Sequence, residues 1–138
     1  MRILVNVDVD DIERGIEFYS AAFELRLGRR LFDGSVAEMV GPSSMIYLLA
    51  KPAGTLPSRE VTSPRDYRRH WTPVHLDFEV ENIGSAVESA VAAGANLEDG
   101  PRSFSWGRLA MLSDPFGHGF CFVQFSDRGY GAVASDDA

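Results

Sequence analysis

The chain states nearly the same pattern twice. Residues 3–9, Ile-Leu-Val-Asn-Val-Asp-Val, lead into an acidic helix start at Asp10-Asp11-Ile12-Glu13 and an amphipathic run to Phe23. Residues 74–80, Val-His-Leu-Asp-Phe-Glu-Val, lead into Glu81-Asn82-Ile83 and a second amphipathic run to Ala93. Shorter strand-like stretches follow in both halves. A repeat of this kind sets the architecture before any single residue is considered, and a pocket is expected where the two copies face each other.

In the first copy, Val5, Val7 and Val9 alternate with Leu4, Asn6 and Asp8. Alternation predicts a strand whose valine face packs under a helix and whose other face is polar. Asp10 with Glu13 resembles a capping box, so the helix is predicted to start there, with Ile12, Ile16, Tyr19 and Phe23 as its buried stripe. Gly15 reads as a close-packing point. Strands are expected at 25–31, 36–40 and 45–50, with turns at Asp33-Gly34 and Gly41-Pro42.

Residues 51–71 lack a sustained period and carry Pro52, Gly54, Pro57 and Pro64, so they read as a connector. Lys51, Arg59, Arg65, Arg68 and Arg69 oppose only Glu60 and Asp66, a local basic excess on an acidic chain. The second copy then repeats the order. Val74, Leu76, Phe78 and Val80 alternate with His75, Asp77 and Glu79. Asn82 reads as an N-cap and Gly94 as a C-cap, with Ile83, Ala86, Val87, Ala90 and Val91 on the apolar face between them. A weak strand over 95–105, a strand over 108–112, a tight turn at Asp114-Pro115-Phe116-Gly117 and a last strand over 119–125 complete it. The fold class is α+β: a first βαβββ module over 1–50, a connector over 51–71, a second module over 72–126 and a flexible tail over 127–138.

At 138 residues the two halves form one domain together, since each alone is small for independent stability. A net charge of −7 argues against general binding to nucleic acid or to an anionic membrane surface. No apolar run is long enough to span a bilayer, and the chain enters a strand pattern at once, with no expected signal peptide. The single cysteine excludes an internal disulfide and fits a reducing cytoplasm, the expected location.

The run Val-Asp-Asp-Ile-Glu-Arg-Gly-Ile-Glu-Phe-Tyr at 9–19 resembles the opening of a vicinal oxygen chelate protein. That superfamily holds glyoxalase I, the bleomycin-resistance proteins and the extradiol dioxygenases. Ala92-Ala93-Gly94-Ala95, then Asp114-Pro115-Phe116-Gly117-His118 before an apolar strand, is similar to the close of its module. The resemblance covers about residues 2–125. It implies strongly curved mixed sheets forming a cup with the helices on the outer face, and a homodimer.

Metal-dependent members place a His, Glu or Gln ligand on the first and last strand of each module. Carried over position by position, these places fall at Leu4 (or Val5), Tyr47, His75 and Cys121. Only His75 is a usual ligand; leucine and valine offer no donor. The expectation is no bound catalytic metal and no cofactor, with a divalent ion disfavoured. Asp8, His75 and Asp77 form an alternative donor set that departs from the family geometry.

By strand parity the expected pocket includes Asn6, Asp8, Met45, Tyr47, His75, Asp77 and Cys121. His75 is the candidate catalytic group, either a general base oriented by a carboxylate or a scaffold residue bonded to Asp77 or Asp8. Cys121, between phenylalanines, reads as a small hydrophobe. Trp106 either stacks on a planar ligand or covers a sheet edge, and Arg108 either pairs with an anion or is solvated. The basic-aromatic run Arg65–Trp71 is either a lid carrying positive charge or a solvated connector packed at an interface. The first functional expectation is a metal-free module binding a small aromatic or anionic molecule. The alternatives are a glyoxalase-type lyase, isomerase or dioxygenase using His75, and a scaffold docking a partner through residues 57–70.

Overall fold

The computed structural model describes residues 1–135, and the chain divides into two compact units, residues 1–68 and residue 69 onward. The first unit runs β1 (Val5–Val9), α1 (Ile12–Phe23), β2 (Arg26–Leu31), β3 (Val36–Val40) and β4 (Met45–Ala50). Its sheet order is β1-β4-β3-β2. β1 pairs parallel with β4, while the β2–β3 and β3–β4 pairs are antiparallel. Parallel pairing needs a long crossover, and the intervening helix and two strands supply it.

Register fixes the faces. Val7 lies opposite Leu48, which lies opposite Ala37, so these residues share the side that α1 covers. Val9, Ala37, Met39 and Leu48 are fully buried there. Each large apolar side chain so removed from water contributes about 1.5–3 kcal/mol. Gly15 is where the helix comes closest to the sheet: an added Cβ would stand 3.2 Å from Val9 and 3.3 Å from Leu48. That contact rotates the helix from the orientation expected from its large residues. Gly15, Phe18, Tyr19 and Ala22 are the buried set, while Ile12, Ile16 and Phe23 are only partly covered. The cap also differs by one residue. Asp11, not Asp10, is extended and accepts the Arg14 N–H at 3.1 Å. Glu13 reaches Arg30 at 2.6 Å.

The connector does not run free. Gly54 and Thr55 exchange backbone hydrogen bonds with Arg65, both at 2.8 Å. The Tyr67 hydroxyl donates to the Lys51 carbonyl at 2.6 Å. Residues up to 68 therefore fold back on the first module, and the last three of the predicted connector belong to the second unit.

That unit repeats the order with β5 (Leu76–Glu79), α2 (Ile83–Ala93), β6 (Asn96–Phe104), β7 (Gly107–Ser113) and β8 (Gly119–Phe125), arranged β5-β8-β7-β6. β5 is shorter than expected and leaves Val74 and His75 ahead of it. β2 and β6 both carry register shifts, and bulges of this kind bend the strands that hold them. Asn82 caps α2 by accepting the Ser85 N–H at 3.0 Å, and Gly94 ends it at a φ of 119°. Ile83, Val87 and Ala90 are buried, but Val91 is 46% exposed on the outer side. Beneath the helix, Phe78, Phe120 and Phe122 meet edge to face at 5.5–6.3 Å. The Asp114 carboxylate accepts the N–H groups of Phe116 and His118 at 2.8 and 2.9 Å. This turn drives Phe116 into full burial.

The segment expected to be a flexible tail carries a 3-10 turn, Gly129–Ala132. Tyr130 lies against Phe125 and Trp106, at 4.7 and 5.6 Å between ring centres. Residues 136–138 of that expectation lie outside the described residues.

Leu48→Ala should lower the unfolding free energy by about 2–5 kcal/mol in urea titrations, from lost burial and the cavity left. Val91→Ala, on the exposed side of α2, should change it by no more than about 0.5 kcal/mol.

Candidate functional site

The face of each sheet turned away from its helix holds the polar residues. In the first module, Asn6, Tyr47 and Glu38 lie side by side across β1, β4 and β3. Glu38 is 3% exposed, and Arg29 grips it with two hydrogen bonds at 2.6 and 2.9 Å. The Arg29 hydrogen bond holds this carboxyl below its ordinary range, and the Tyr47 hydroxyl adds to the effect. Asp8 is engaged too: Arg65 from the connector donates to it at 2.7 Å. Burial, and then the charges of Asp8 and Asp10, push the neighbouring Tyr67 phenol up to about 12. Tyr47 also lines a cavity of about 330 Å³ with Arg2, Leu4, Val40, Ser44 and Met45. On this face both Glu38 and Asp8 are thus held in ion pairs with arginine.

The second module keeps two of its donors exposed and one buried. His75 and Asp77 are two residues apart at the entry to β5, so alternation points both to one side. Parallel pairing with β8 puts Cys121 directly opposite Asp77. His75 Nε2 stands 3.1 Å from Asp77 Oδ1, with the side chains 32% and 43% exposed. One ligand atom from each of His75, Asp77 and Cys121 lies within 4.8 Å of the other two. The Trp71 ring sits 5.4 Å from that of His75, tilted by 39°, and is 59% exposed. Burial pushes the Cys121 thiol up to about 11, and the charge and hydrogen bond of Asp77 and the charge of Glu98 push the same way.

Of the two expected pocket residues near β7, Trp106 is taken up by a ring on the side of Met111 and Cys121, and Arg108 falls elsewhere. Trp106 stacks on Phe104, with centres 5.2 Å apart and planes 5° apart. Arg108 is exposed on β7 with the parity of Ala110 and Leu112, the side that α2 covers, and so not on the side of Met111 and Cys121. Trp71, in contrast, is expected only as part of the basic-aromatic run Arg65–Trp71 and not as a pocket residue. The available signal was an aromatic four residues ahead of a histidine. His118, which follows the Asp114–Gly117 turn, is half-buried, its Nδ1 3.3 Å from His70 Nε2.

The four family ligand places can be tested on these residues. Leu4 has no donor atom, and Tyr47 is a phenol beside a carboxylate that Arg29 already holds. The four-ligand arrangement therefore does not fit. What does converge is a nitrogen, oxygen and sulfur set within one module. Such donors suit a thiophilic ion if the thiol loses its proton.

The model of the glyoxalase-like domain matches residues 4–123, and the chain belongs to that family. A search of curated proteins returned no match. Among solved structures, the chain is similar to the fosfomycin resistance protein FosX of Listeria monocytogenes at 16% identity and a TM-score of 0.69, covering 93% of each chain. It is similar to a glyoxalase/bleomycin resistance protein/dioxygenase family enzyme of Burkholderia phytofirmans PsJN at 18% identity and a TM-score of 0.66, covering 89% of this chain and 97% of that one. It is also similar to TnmS3, an antibiotic binding protein of Streptomyces sp. CB03234, at 21% identity and a TM-score of 0.61, covering 91% and 98%. At these identities the likeness is one of fold.

Thiolate is the reactive form of cysteine. A thiol moved from 9.0 to about 11 holds about 100-fold less of it at pH 8. Alkylation of native Cys121 by iodoacetamide should therefore run at least about 100-fold slower than in urea-unfolded protein. The native rate should keep rising with pH toward about 11. Equal native and unfolded rates at pH 8 would contradict this account of the thiol.

Proposed function

We propose that this glyoxalase-like protein binds a small organic molecule on the polar face of its second module, without a catalytic metal. The observation that carries the reading is the convergence of His75, Asp77 and Cys121 beside the exposed ring of Trp71. Binding sites combine an apolar surface with a few convergent polar groups, and this cluster supplies both. The missing donor at Leu4 argues against the metal chemistry that the family's four ligand places support. The antibiotic binding protein and the fosfomycin resistance protein among the structural neighbours fit a ligand-binding role. In this reading His75 orients the ligand through a hydrogen bond, and the Cys121 thiol acts as a weak donor and small apolar wall.

A thermal-shift screen of small aromatic and antibiotic molecules, followed by tryptophan fluorescence, tests it. A true ligand should change the emission of Trp106→Phe protein, where Trp71 is the remaining indole, and should leave Trp71→Phe protein unchanged. His75→Ala should weaken binding about tenfold or more, or about 1.4 kcal/mol. Affinities that survive both Trp71→Phe and His75→Ala would remove this face as the site.

The three-donor cluster favours one second reading, a metal-dependent enzyme of the same fold in which His75, Asp77 and Cys121 hold a thiophilic ion. Stoichiometric zinc or iron in purified protein, lost in Cys121→Ser, would establish it. A metal content below about one-tenth equivalent after Zn²⁺ is added back would eliminate it.

A further inference from the structure

The basic residues of the connector suggest an anionic ligand only while they are free. Arg65 is held by Asp8 at 2.7 Å, Arg68 by Asp66 at 2.6 Å, and Arg69 by Glu98 at 2.5 and 2.8 Å. Each of the three guanidinium charges is met where it stands. Around the cluster of the second module the balance runs the other way. Asp77 has the His75 imidazole as its ion-pair partner, and among the described residues it meets no arginine or lysine. Glu79 follows on the same side of β5 and is exposed. Beside them stands the Trp71 ring, largely exposed and 5.4 Å from that of His75.

A carboxylate whose one basic partner is an imidazole, with no guanidinium or ammonium group on it, and an exposed indole select the same chemistry. Negative charge attracts an ammonium or guanidinium group. The negative face of an indole ring attracts the same cation and stacks on its apolar part. A carboxylate or phosphonate ligand would instead meet Asp77 as a like charge.

We infer that the ligand of the Trp71–His75–Asp77 site is an organic cation, an ammonium or guanidinium attached to an aromatic or similarly flat apolar group. The cationic head stands against the Asp77 carboxylate, and the flat part lies along Trp71. His75 donates or accepts one hydrogen bond at the edge. This inference rests on the site proposed above and adds the charge of what it takes.

Three compounds of nearly equal size test it: 2-phenylethylammonium, 2-phenylethanol and 3-phenylpropionate, titrated by calorimetry and by fluorescence of Trp106→Phe protein. The ammonium should bind at least about tenfold tighter than the carboxylate. Asp77→Asn should bring the two within about twofold, and added salt should weaken the ammonium selectively. Circular dichroism of Asp77→Asn confirms that the exposed substitution leaves the fold intact. Equal or tighter binding of the carboxylate or the alcohol, still sensitive to Trp71→Phe, overturns the cation assignment and leaves the site standing. Ammonium binding that ignores both Trp71→Phe and His75→Ala overturns the site as well. Binding of none of the three up to about 10 mM also overturns the assignment.

Discussion

Each module depends on its first strand lying parallel to its last. β1 against β4, and β5 against β8, are the pairings that chain neighbours cannot make, since a helix and two strands must be threaded between them. Everything functional is downstream of this register. It sets Asn6 beside Tyr47 in one module and Asp77 beside Cys121 in the other. A slip of one residue would turn Asp77 toward α2 and bring Phe78 to the open face. The phenylalanine contacts among Phe78, Phe120 and Phe122 resist such a slip, because they fill the space under α2 in one arrangement.

Electrostatics divide the two modules. The first has turned its open face into structure: Glu38 is sealed by Arg29, and Asp8 by an arginine from 57 positions away. A carboxylate 3% exposed would be costly alone, and its guanidinium partner is what permits burial. The second module leaves Asp77 and His75 in contact with water and with each other. The same fold therefore carries arginine-paired carboxylates on the polar face of one half and an exposed His–Asp pair on that of the other.

Much of the architecture was legible in the sequence. β3, β4 and β8 match the expected bounds, because Gly41-Pro42 and the Asp114–Gly117 turn mark the chain on either side of short apolar runs. Asn82 and Gly94 were readable as caps, since their chemistry is local. Gly15 was recognised as a packing point, yet its consequence for α1 was not: bringing the smallest residue to the sheet moves Ile12, Ile16 and Phe23 off the buried stripe. The connector shows the limit most plainly. The Arg65–Asp8 pair joins residues far apart in sequence, and nothing local to either announces it. In the candidate site, alternation foresaw His75 with Asp77, and the family resemblance put Cys121 on the last strand. Trp71 was hidden in a segment read as linker, and the side taken by Arg108 needed the β7–β8 register.

The unequal treatment of the two open faces has an evolutionary consequence. A doubled module begins with two equivalent surfaces, and any demand met by one releases the other. Here the amino-terminal copy carries different residues at these places. Leucine and tyrosine stand where its twin has histidine and cysteine, and Glu38 and Asp8 are held by arginines. In the proposed site of the carboxy-terminal copy, single changes at Trp71, His75 or Asp77 would alter what is recognised without disturbing a buried charge.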